Sequence, residues 1–365
     1  MQSLKINQQD VTAALSEFFF NLLKEKITDA LLIPQQMNDR ITHTLVTRPE
    51  GIVAVNPLAP VTYLNAARLV CELTNKEQKI GVVLRSCEIR ALIELVKLKQ
   101  AAMENLIIIG VDCLGAFDPA TYQELSASGS FNLSSWLQKA AASGEADYDG
   151  FKIRRACTLC DGIAPEHSHL SIGWAGVDPL QELIIEGTIE LPTDKFRLSP
   201  IGSSIKREKL INDLKTKKAA DREAVYNEFS QRVNSPQALL NELSTCIRCY
   251  NCRAACPLCI CQECIFISPL FKHEAEKYLE QAENKLFVEM PADTLLFHLT
   301  RLTHIGLSCV GCGHCESACP SKLPLSVLFN AVGRKVQEVF EYIPGRDPEE
   351  KLPLVTYKLA ELEPR

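Results

Sequence analysis

The chain has 365 residues and a formal net charge of −6, and 46% of its residues are hydrophobic. This length suits two domains, because a single core rarely grows much past ~250–300 residues. A mildly acidic chain without long Lys/Arg blocks is a poor candidate for binding nucleic acid or an anionic membrane. No apolar run approaches the ~18 residues that span a bilayer, and the N-terminus lacks the pattern of a secretory signal. We therefore expect a cytoplasmic protein without a transmembrane segment, in which the 16 cysteines indicate metal or redox chemistry rather than disulfides.

Residues 1–199 predict an α/β domain. Apolar residues at helical spacing predict a helix over 11–29 that Asp10 caps. Short strands within 30–58 and a second helix within 61–75 are expected to follow.

The clearest unit of this domain is a β-α-β segment. Buried strands are predicted over 80–85 and 105–112, with an amphipathic helix between them, and such a unit pairs its strands in parallel. Cys87 follows the first strand and Cys113 follows the second. Both thiols are therefore expected at the carboxyl ends of neighbouring strands, the edge where open α/β sheets bind ligands.

A polar stretch of small residues, 118–150, precedes a predicted turn that contains Cys157 and Cys160. Residues 170–192 predict further strands with a hairpin at Glu186-Gly187.

From about residue 200 the composition changes. Residues 200–240 are charged and helical in pattern, and they predict a connector rather than part of a core. Residues 241–335 predict a cysteine-rich domain that is helical between its motifs, and residues 336–365 predict a C-terminal tail.

Two cysteine runs in the last third of the chain have the spacing of bacterial ferredoxins. Three thiolates separated by two residues bind three corners of an iron–sulfur cube, and the fourth, which a proline follows, ligates the other cube. We therefore expect two 4Fe-4S clusters in an α-helical two-cluster ferredoxin domain. The predicted ligands are Cys246, Cys249, Cys252 and Cys319 for the first cluster, and Cys309, Cys312, Cys315 and Cys256 for the second.

A pair of zinc sites is the alternative interpretation of these runs. Structural zinc sites usually have two separated cysteine pairs rather than a triple followed by Cys-Pro, so the pattern favours iron–sulfur. The long helical spacer, residues 257–308, resembles the helical ferredoxin fold of the small iron–sulfur subunit of heterodisulfide reductase.

Two smaller sets of cysteines leave alternatives open. Cys259, Cys261 and Cys264 are either thiols near a cluster, buried or facing a partner, or partial ligands of a further cluster that needs a fourth cysteine. The other set has four members that can converge on a third 4Fe-4S cluster, and spacing alone does not distinguish this from four unrelated buried thiols. Its members are Cys87, Cys113, Cys157 and Cys160.

Two segments around these four cysteines resemble a known family. RSCEIRALIEL with IIIGVDCLGAF, and CTLCDGIAPEHSHLSIGWAG, are similar to segments of the β subunits of coenzyme F-420 (deazaflavin) hydrogenases and dehydrogenases, including the β subunit of deazaflavin-linked formate dehydrogenase. The resemblance is good over roughly residues 80–180 and loose over 1–80. It implies one FAD on the α/β domain, and a third 4Fe-4S cluster that the four cysteines ligate. The segments it places near the flavin contain Arg85, Ser86, Ser171, Gly173 and Gly176.

The chain departs from the family pattern at three positions. Ser86 stands where the family usually has Pro, His169 where it has Asp, and Asp112 where an aromatic residue is expected. These departures leave the identity of the hydride carrier open. His167 and His169 are candidates for a flavin contact or a proton path, or are two histidines at the entrance of a strand.

Two functions follow from these parts. The first is an oxidoreductase subunit with flavin and iron–sulfur clusters, which relays electrons between a hydride carrier, deazaflavin or NAD(P), or a formate-dehydrogenase-type partner, and a larger redox complex such as heterodisulfide reductase. A flavin belongs between the two because it exchanges two electrons with hydride carriers and one with clusters. The alternative is a non-catalytic subunit that wires clusters to redox partners without flavin. A zinc-rich interaction protein is a third interpretation.

Overall fold

The computed structural model describes residues 1–38, 40–74, 77–271, 274–288, 291 and 293–356. It combines an eight-stranded sheet in the N-terminal half with helices in the C-terminal half, which confirms the expected mixed α/β class. The strands are β1 (Gln2–Lys5), β2 (Ala30–Met37), β3 (Arg40–Val46), β4 (Ile80–Arg85), β5 (Leu106–Val111), β6 (Leu170–Gly173), β7 (Glu182–Gly187) and β8 (Leu198–Pro200). The helices are α1 (Val11–Lys24), α2 (Ala67–Cys71), α3 (Ser86–Lys97), α4 (Pro119–Ala127), α5 (Leu133–Ser143), α6 (Arg155–Thr158), α7 (Thr193–Phe196), α8 (Ile205–Arg232), α9 (Pro236–Leu243), α10 (Asn251–Ala254), α11 (Ala275–Lys285), α12 (Asp293–Ile305), α13 (His314–Ser317) and α14 (Leu325–Val339).

The sheet has the strand order β3-β2-β4-β5-β6-β7-β1-β8. Strands β2, β4, β5 and β6 run parallel, and the remaining neighbours pair antiparallel. The predicted β-α-β unit is confirmed as β4, α3 and β5, with Arg85 opposite Val111 at the carboxyl ends of the strands. This edge of the sheet carries Cys87 and Cys113, one just past each strand.

The first helix begins where the sequence predicts, because the Asp10 carboxylate accepts a hydrogen bond of 2.9 Å from the Ala13 backbone N–H. Strands β2 and β3 are confirmed, but the expected third strand before residue 58 is wrong: Val55 makes an isolated bridge with Gln35. The helix expected over 61–75 is limited to the short α2.

The structure differs from the sequence patterns in two further regions. The polar stretch over 118–150 contains α4 and α5, and the Asn132 side chain caps the second of them. The hairpin expected at Glu186-Gly187 is also absent, since Gly187 ends β7 and pairs with Leu170, and residues 174–181 connect β6 to β7. A Cβ at position 187 would overlap the carbonyl oxygen of His169, so this glycine permits close approach of two strands rather than a turn.

Helix α8 contributes to the core, whereas its composition predicted only a connector. One face buries basic and apolar side chains together, and the helix packs against α14. The buried set is Arg207, Leu214, Lys218, Arg222, Tyr226 and Phe229. Each buried cation on this face makes a hydrogen bond to a residue of the α/β region. These charged side chains therefore hold α8 against that region instead of extending into solvent.

Apolar residues on one face of the sheet pack with apolar residues of the cysteine-rich helices in a single continuous cluster. Val82 on β4 and Leu92 on α3 belong to the same cluster as Phe297 on α12 and Phe329 on α14. The part of the C-terminal segment that the structure describes also packs down, because Tyr342 and Leu352 are buried. The domain bounds expected from the sequence stay predictions. No helix among the described residues combines the length and apolar character needed to traverse a bilayer.

Candidate iron–sulfur centres

The two ferredoxin-like runs fold into matching loops. In the second run, Gly311 and Gly313 have φ values of +71° and +74°. In the first run, Arg248 and Tyr250 occupy the same two positions, with φ values of +57° and +58°. A short helix follows each loop, α10 in the first run and α13 in the second. Residues other than glycine rarely adopt positive φ. The shared conformation therefore indicates that both loops are shaped to bind the same kind of group.

The structure brings the cysteines of these runs into two groups. Within each group the thiols interact electrostatically, and each group takes its fourth member from the other run. The first group is Cys246, Cys249, Cys252 and Cys319, and the second group is Cys309, Cys312, Cys315 and Cys256. This is the crossed pairing that the sequence predicts for a two-cluster ferredoxin.

A third group forms at the carboxyl edge of the sheet. It brings together the thiols that follow β4 and β5 with the pair that α6 and the residues after it carry. Its members are Cys87, Cys113, Cys157 and Cys160. The sheet topology explains half of this group, because parallel strands end side by side. The other half depends on α6 lying over that edge, which the sequence pattern does not specify.

The third group is surrounded by arginines. Arg85 donates to the Cys113 sulfur over 3.9 Å, Arg90 to the Cys160 sulfur over 3.7 Å, and Arg154 to the Cys157 sulfur over 3.6 Å. Such contacts favour thiolate over thiol. Burial alone would raise the pKa of Cys157, but the Arg154 guanidinium, the Ala116 backbone hydrogen bond and Lys218 together lower the pKa below that of a free thiol.

The second and third groups adjoin each other. Cys87 interacts electrostatically with Cys312 of the second group, and Arg90 and Arg154 interact with the same thiol. The loops are in direct contact, since a Cβ added at Gly313 would overlap the Cβ of Ala156. The three groups therefore form a series, third to second to first.

Burial makes these thiols poor acids in the absence of a ligand. It raises the pKa of Cys252 and Cys309 to about 11 and that of Cys312 to about 12. Among the neighbouring cations, guanidinium nitrogens of Arg90, Arg154 and Arg301 are buried without a hydrogen-bond partner. Buried donors of this kind need an acceptor. A cluster held by thiolates would supply both the negative charge and the sulfur acceptors, so the residues present fit iron–sulfur cubes.

Among the described residues, no three Cys, His, Asp or Glu side chains are arranged to hold one metal ion.

Four cysteines lie outside the three groups. Cys259 is half-buried beside Cys256, Cys261 is exposed, and Cys264 is half-buried. The remaining one, Cys71, donates its thiol to the Ala67 carbonyl oxygen within α2 over 3.4 Å. Cys259 therefore lies next to a thiol of the second group.

The residues expected near a flavin make separate contacts with other parts of the protein. Arg85 donates to the carbonyl oxygens of Ala59 and Val61, and Ser86 lies at the start of α3. Ser171 hydrogen-bonds within the sheet, to the carbonyl oxygen of Glu186 over 3.4 Å.

Gly173 and Gly176 lie against the side chain and backbone of Arg207. A Cβ at either glycine would come within 2.7 Å of Arg207 atoms. Protein atoms therefore occupy the space at both glycines, and a flavin contact for either remains a prediction.

A cavity of about 540 Å³ lies beside the third group. Its lining includes Ser86, Arg90 and Gly162 near Cys160, and Lys215 and Arg346 further out. The volume is within the range of small-molecule sites, and the lining carries basic side chains together with the carboxylates of Asp161 and Glu166.

His167 and His169, in the segment that the resemblance places near a flavin, have different surroundings. His167 lines the cavity, whereas His169 accepts a hydrogen bond over 3.0 Å from the Ile108 backbone N–H. Burial lowers the pKa of His169, in keeping with a neutral acceptor. His169 is thus a structural residue between β5 and β6.

The sequence patterns did not indicate the residues that support the backbone around the third group. Asp112, which interrupts the family pattern, accepts backbone N–H bonds from Trp174 and Ala175 over 2.8 and 3.0 Å. Its carboxylate also forms a buried ion pair with Arg207 of α8. Further along α8, Lys218 donates to the Cys157 carbonyl oxygen over 3.1 Å. The four-residue spacing of buried positions 214, 218, 222 and 226 was the available signal.

Comparisons with known proteins agree with this geometry. The family model of the 4Fe-4S dicluster domain matches residues 242–323. The F420-dependent formate dehydrogenase subunit beta of Methanocaldococcus jannaschii is 26% identical over 371 residues, which cover 94% of this chain and 94% of that protein. The F420-dependent formate dehydrogenase 1 subunit beta of Methanococcus maripaludis is 25% identical over 313 residues, 75% of each chain.

Among solved structures, a chain of the F420-reducing NiFe hydrogenase complex from Methanosarcina barkeri, studied by xenon derivatization, has a TM-score of 0.45 and 11% identity. The match covers 65% of this chain and 92% of that chain, and the score is too low to assign a fold. The sequence matches along the chain confirm the predicted resemblance: this protein is similar to F420-dependent formate dehydrogenase beta subunits, and its residues 242–323 match the 4Fe-4S dicluster domain.

Proposed function

We propose that the protein is an iron–sulfur electron-transfer subunit of an oxidoreductase related to formate dehydrogenase, with three 4Fe-4S clusters in series. The observation that carries the proposal is the alignment of three four-thiol groups, of which neighbours share buried arginines. When bound, such cubes exchange single electrons.

The protein's own residues would hold the cubes and control their surroundings. Twelve thiolates would ligate the three cubes, and the guanidinium groups beside them would balance the added negative charge. The apolar cluster that runs from α3 to α14 packs against the second group. In the first group, Cys249 is exposed, and Ile247 beside it is 66% exposed. This exposed end of the series is where a redox partner would exchange electrons with the protein.

The resemblance further supports a flavin at the other end of the series. We place it in the 540 Å³ cavity, because Ser86 and Arg90 line that cavity and also adjoin the third group. A flavin supplies the exchange between two-electron hydride carriers and one-electron clusters. Lys215 and Arg346, which pair with Glu166 and Glu350, would turn to its phosphates, and deazaflavin or NAD(P)H would be the carrier.

A wiring subunit without flavin is the second candidate. Arg207 fills the space beside Gly173 and Gly176, and the Arg85 side chain is engaged by the carbonyl oxygens of Ala59 and Val61. Both observations leave less room for the expected flavin contacts. In this case the clusters would link a formate-oxidising or heterodisulfide-reductase-type partner to the rest of a complex.

Iron, sulfide and flavin content of anaerobically purified protein distinguishes these functions. About twelve irons per chain with one flavin, reduced by deazaflavin or by NAD(P)H, supports the enzyme, and about twelve irons without flavin supports the wiring subunit. About eight irons would remove the third cluster from the proposal. A protein without iron would refute both.

A matched pair of variants tests the third group. Cys160→Ala should lower the iron content by about four per chain. Cys71→Ala removes a thiol that donates a hydrogen bond within its own helix and lies outside the three groups, and it should leave the iron content unchanged. Equal iron content in the two variants would contradict the assignment of Cys160.

A further inference from the structure

One buried arginine lies between the first and second groups. Arg301 on α12 is 4% exposed, and its guanidinium interacts electrostatically with Cys252 of the first group and with Cys256 and Cys315 of the second. Arg301 is therefore a cation held in place by both groups at once.

The surroundings of Arg301 fix its position. It lies over the rings of Phe329 and Phe297, at 4.6 and 5.5 Å from the ring centroids, and donates to the Cys252 carbonyl oxygen over 3.2 Å. Two of its guanidinium nitrogens, Nε and one Nη, lack a hydrogen-bond partner. In the described part of the chain no carboxylate forms an ion pair with it. A cation buried in this way is costly unless anionic groups face it, and here the anionic groups are thiolates.

Reduction adds negative charge to an iron–sulfur centre. A buried guanidinium nearby stabilises that charge more strongly than a solvated one, because the effective dielectric constant is lower. Since Arg301 faces both groups, it stabilises the reduced form of both. It also offsets the repulsion that an electron on one centre exerts on the next.

We propose that Arg301 is a positioning residue that raises the reduction potentials of the first and second centres together. This inference rests on the proposed function, since it requires both groups to hold clusters. It makes neighbouring centres accept electrons at similar potentials, so that neither becomes a trap between the exposed end of the series and the third group.

The test is a redox titration of both centres by electron paramagnetic resonance, on the full-length protein with iron and sulfide measured on the same samples. Arg301→Gln should lower the equilibrium constant for reduction at both centres by about tenfold, which is ~59 mV for a one-electron couple. Arg301→Lys keeps the charge and should recover most of that loss at both centres. Lys335→Gln removes an exposed charge from α14 and should change either constant by no more than roughly threefold, because solvent screens it.

The results distinguish a failure of the inference about Arg301 from a failure of the proposed function. Full iron content with one centre shifted, or neither, would overturn the inference and leave the proposed function standing. A wild-type protein without iron would refute the proposed function itself. If Arg301→Gln loses iron, Arg301→Met, which retains the packing against the two phenyl rings, takes its place in the titration. Loss of iron in both neutral variants with retention in Arg301→Lys would assign Arg301 a structural role and overturn the potential-setting one.

Discussion

The buried ion pair between Asp112 and Arg207 supports the sheet edge that carries the third group. The Arg207 side chain is 7% exposed and that of Asp112 is 0% exposed. Removing one partner from such a pair costs about 3–5 kcal/mol, because the other charge stays buried without compensation. Arg207→Met should therefore lower the free energy of unfolding of the α/β region by that amount.

Asp112→Leu should cost more than Arg207→Met. It strands the guanidinium, and it also removes the acceptor of the Trp174 and Ala175 backbone N–H groups. Each stranded buried donor adds about 1–3 kcal/mol. Lys5→Met is the matched control, since Lys5 pairs with Glu182 over 2.7 Å but is 60% exposed, and such pairs contribute about 0.2–1 kcal/mol.

The assay is anaerobic urea unfolding followed by tryptophan fluorescence. The chain has two tryptophans, Trp136 and Trp174, each 1% exposed, so their signal reports the α/β region. Two results would refute the reasoning. One is a loss for Arg207→Met no larger than that for Lys5→Met, and the other is an Asp112→Leu protein more stable than Arg207→Met.

Three further predictions follow from other contacts. Glu94 is fully buried and accepts from the Tyr342 hydroxyl (2.5 Å) and the Gly345 backbone N–H (2.9 Å), so Glu94→Ala should speed tryptic cleavage at Arg346 about tenfold. The exposed Glu104→Ala should not, and equal rates would contradict the role of Glu94. Gly313→Ala should lower the free energy of unfolding by about 1–3 kcal/mol more than Gly129→Ala does, and it should lower the iron content. Both glycines have positive φ, but only a Cβ at position 313 would overlap Ala156. Removal of iron by a chelator should speed amide exchange at least tenfold in α12, which carries Arg301, and leave α1 unchanged; protection of α12 without iron would show that the buried cation is balanced by other means.

Local pattern allowed much of the site to be predicted. Cysteine spacing alone predicted the crossed membership of the first and second groups, because the ferredoxin loop is short and its ligand order is fixed by the turn of the chain. Strand periodicity predicted that Cys87 and Cys113 lie together, since parallel strands end at one edge. In both cases the information lies within a few residues of the cysteines.

The rest depends on contacts between distant segments. Asp112 and Arg207 are 95 residues apart, so a helix with a charged composition gave no direct indication that its basic side chains are buried. Arg207 also packs against Gly173 and Gly176, which the family resemblance places near a flavin. Helix α4 was missed because its composition is polar and its pattern weakly amphipathic, so tertiary packing determines it.

The continuous apolar cluster between the sheet and the cysteine-rich helices has a consequence for dissection of this chain. A fragment from residue 241 onward would leave Phe297 and Phe329 without the α3 side chains that belong to their cluster. It would also separate the second group from Arg90 and Arg154, whose charges the other half supplies. We therefore expect a fragment of the cysteine-rich half to lose part of its packing and of the positive charge around the second group.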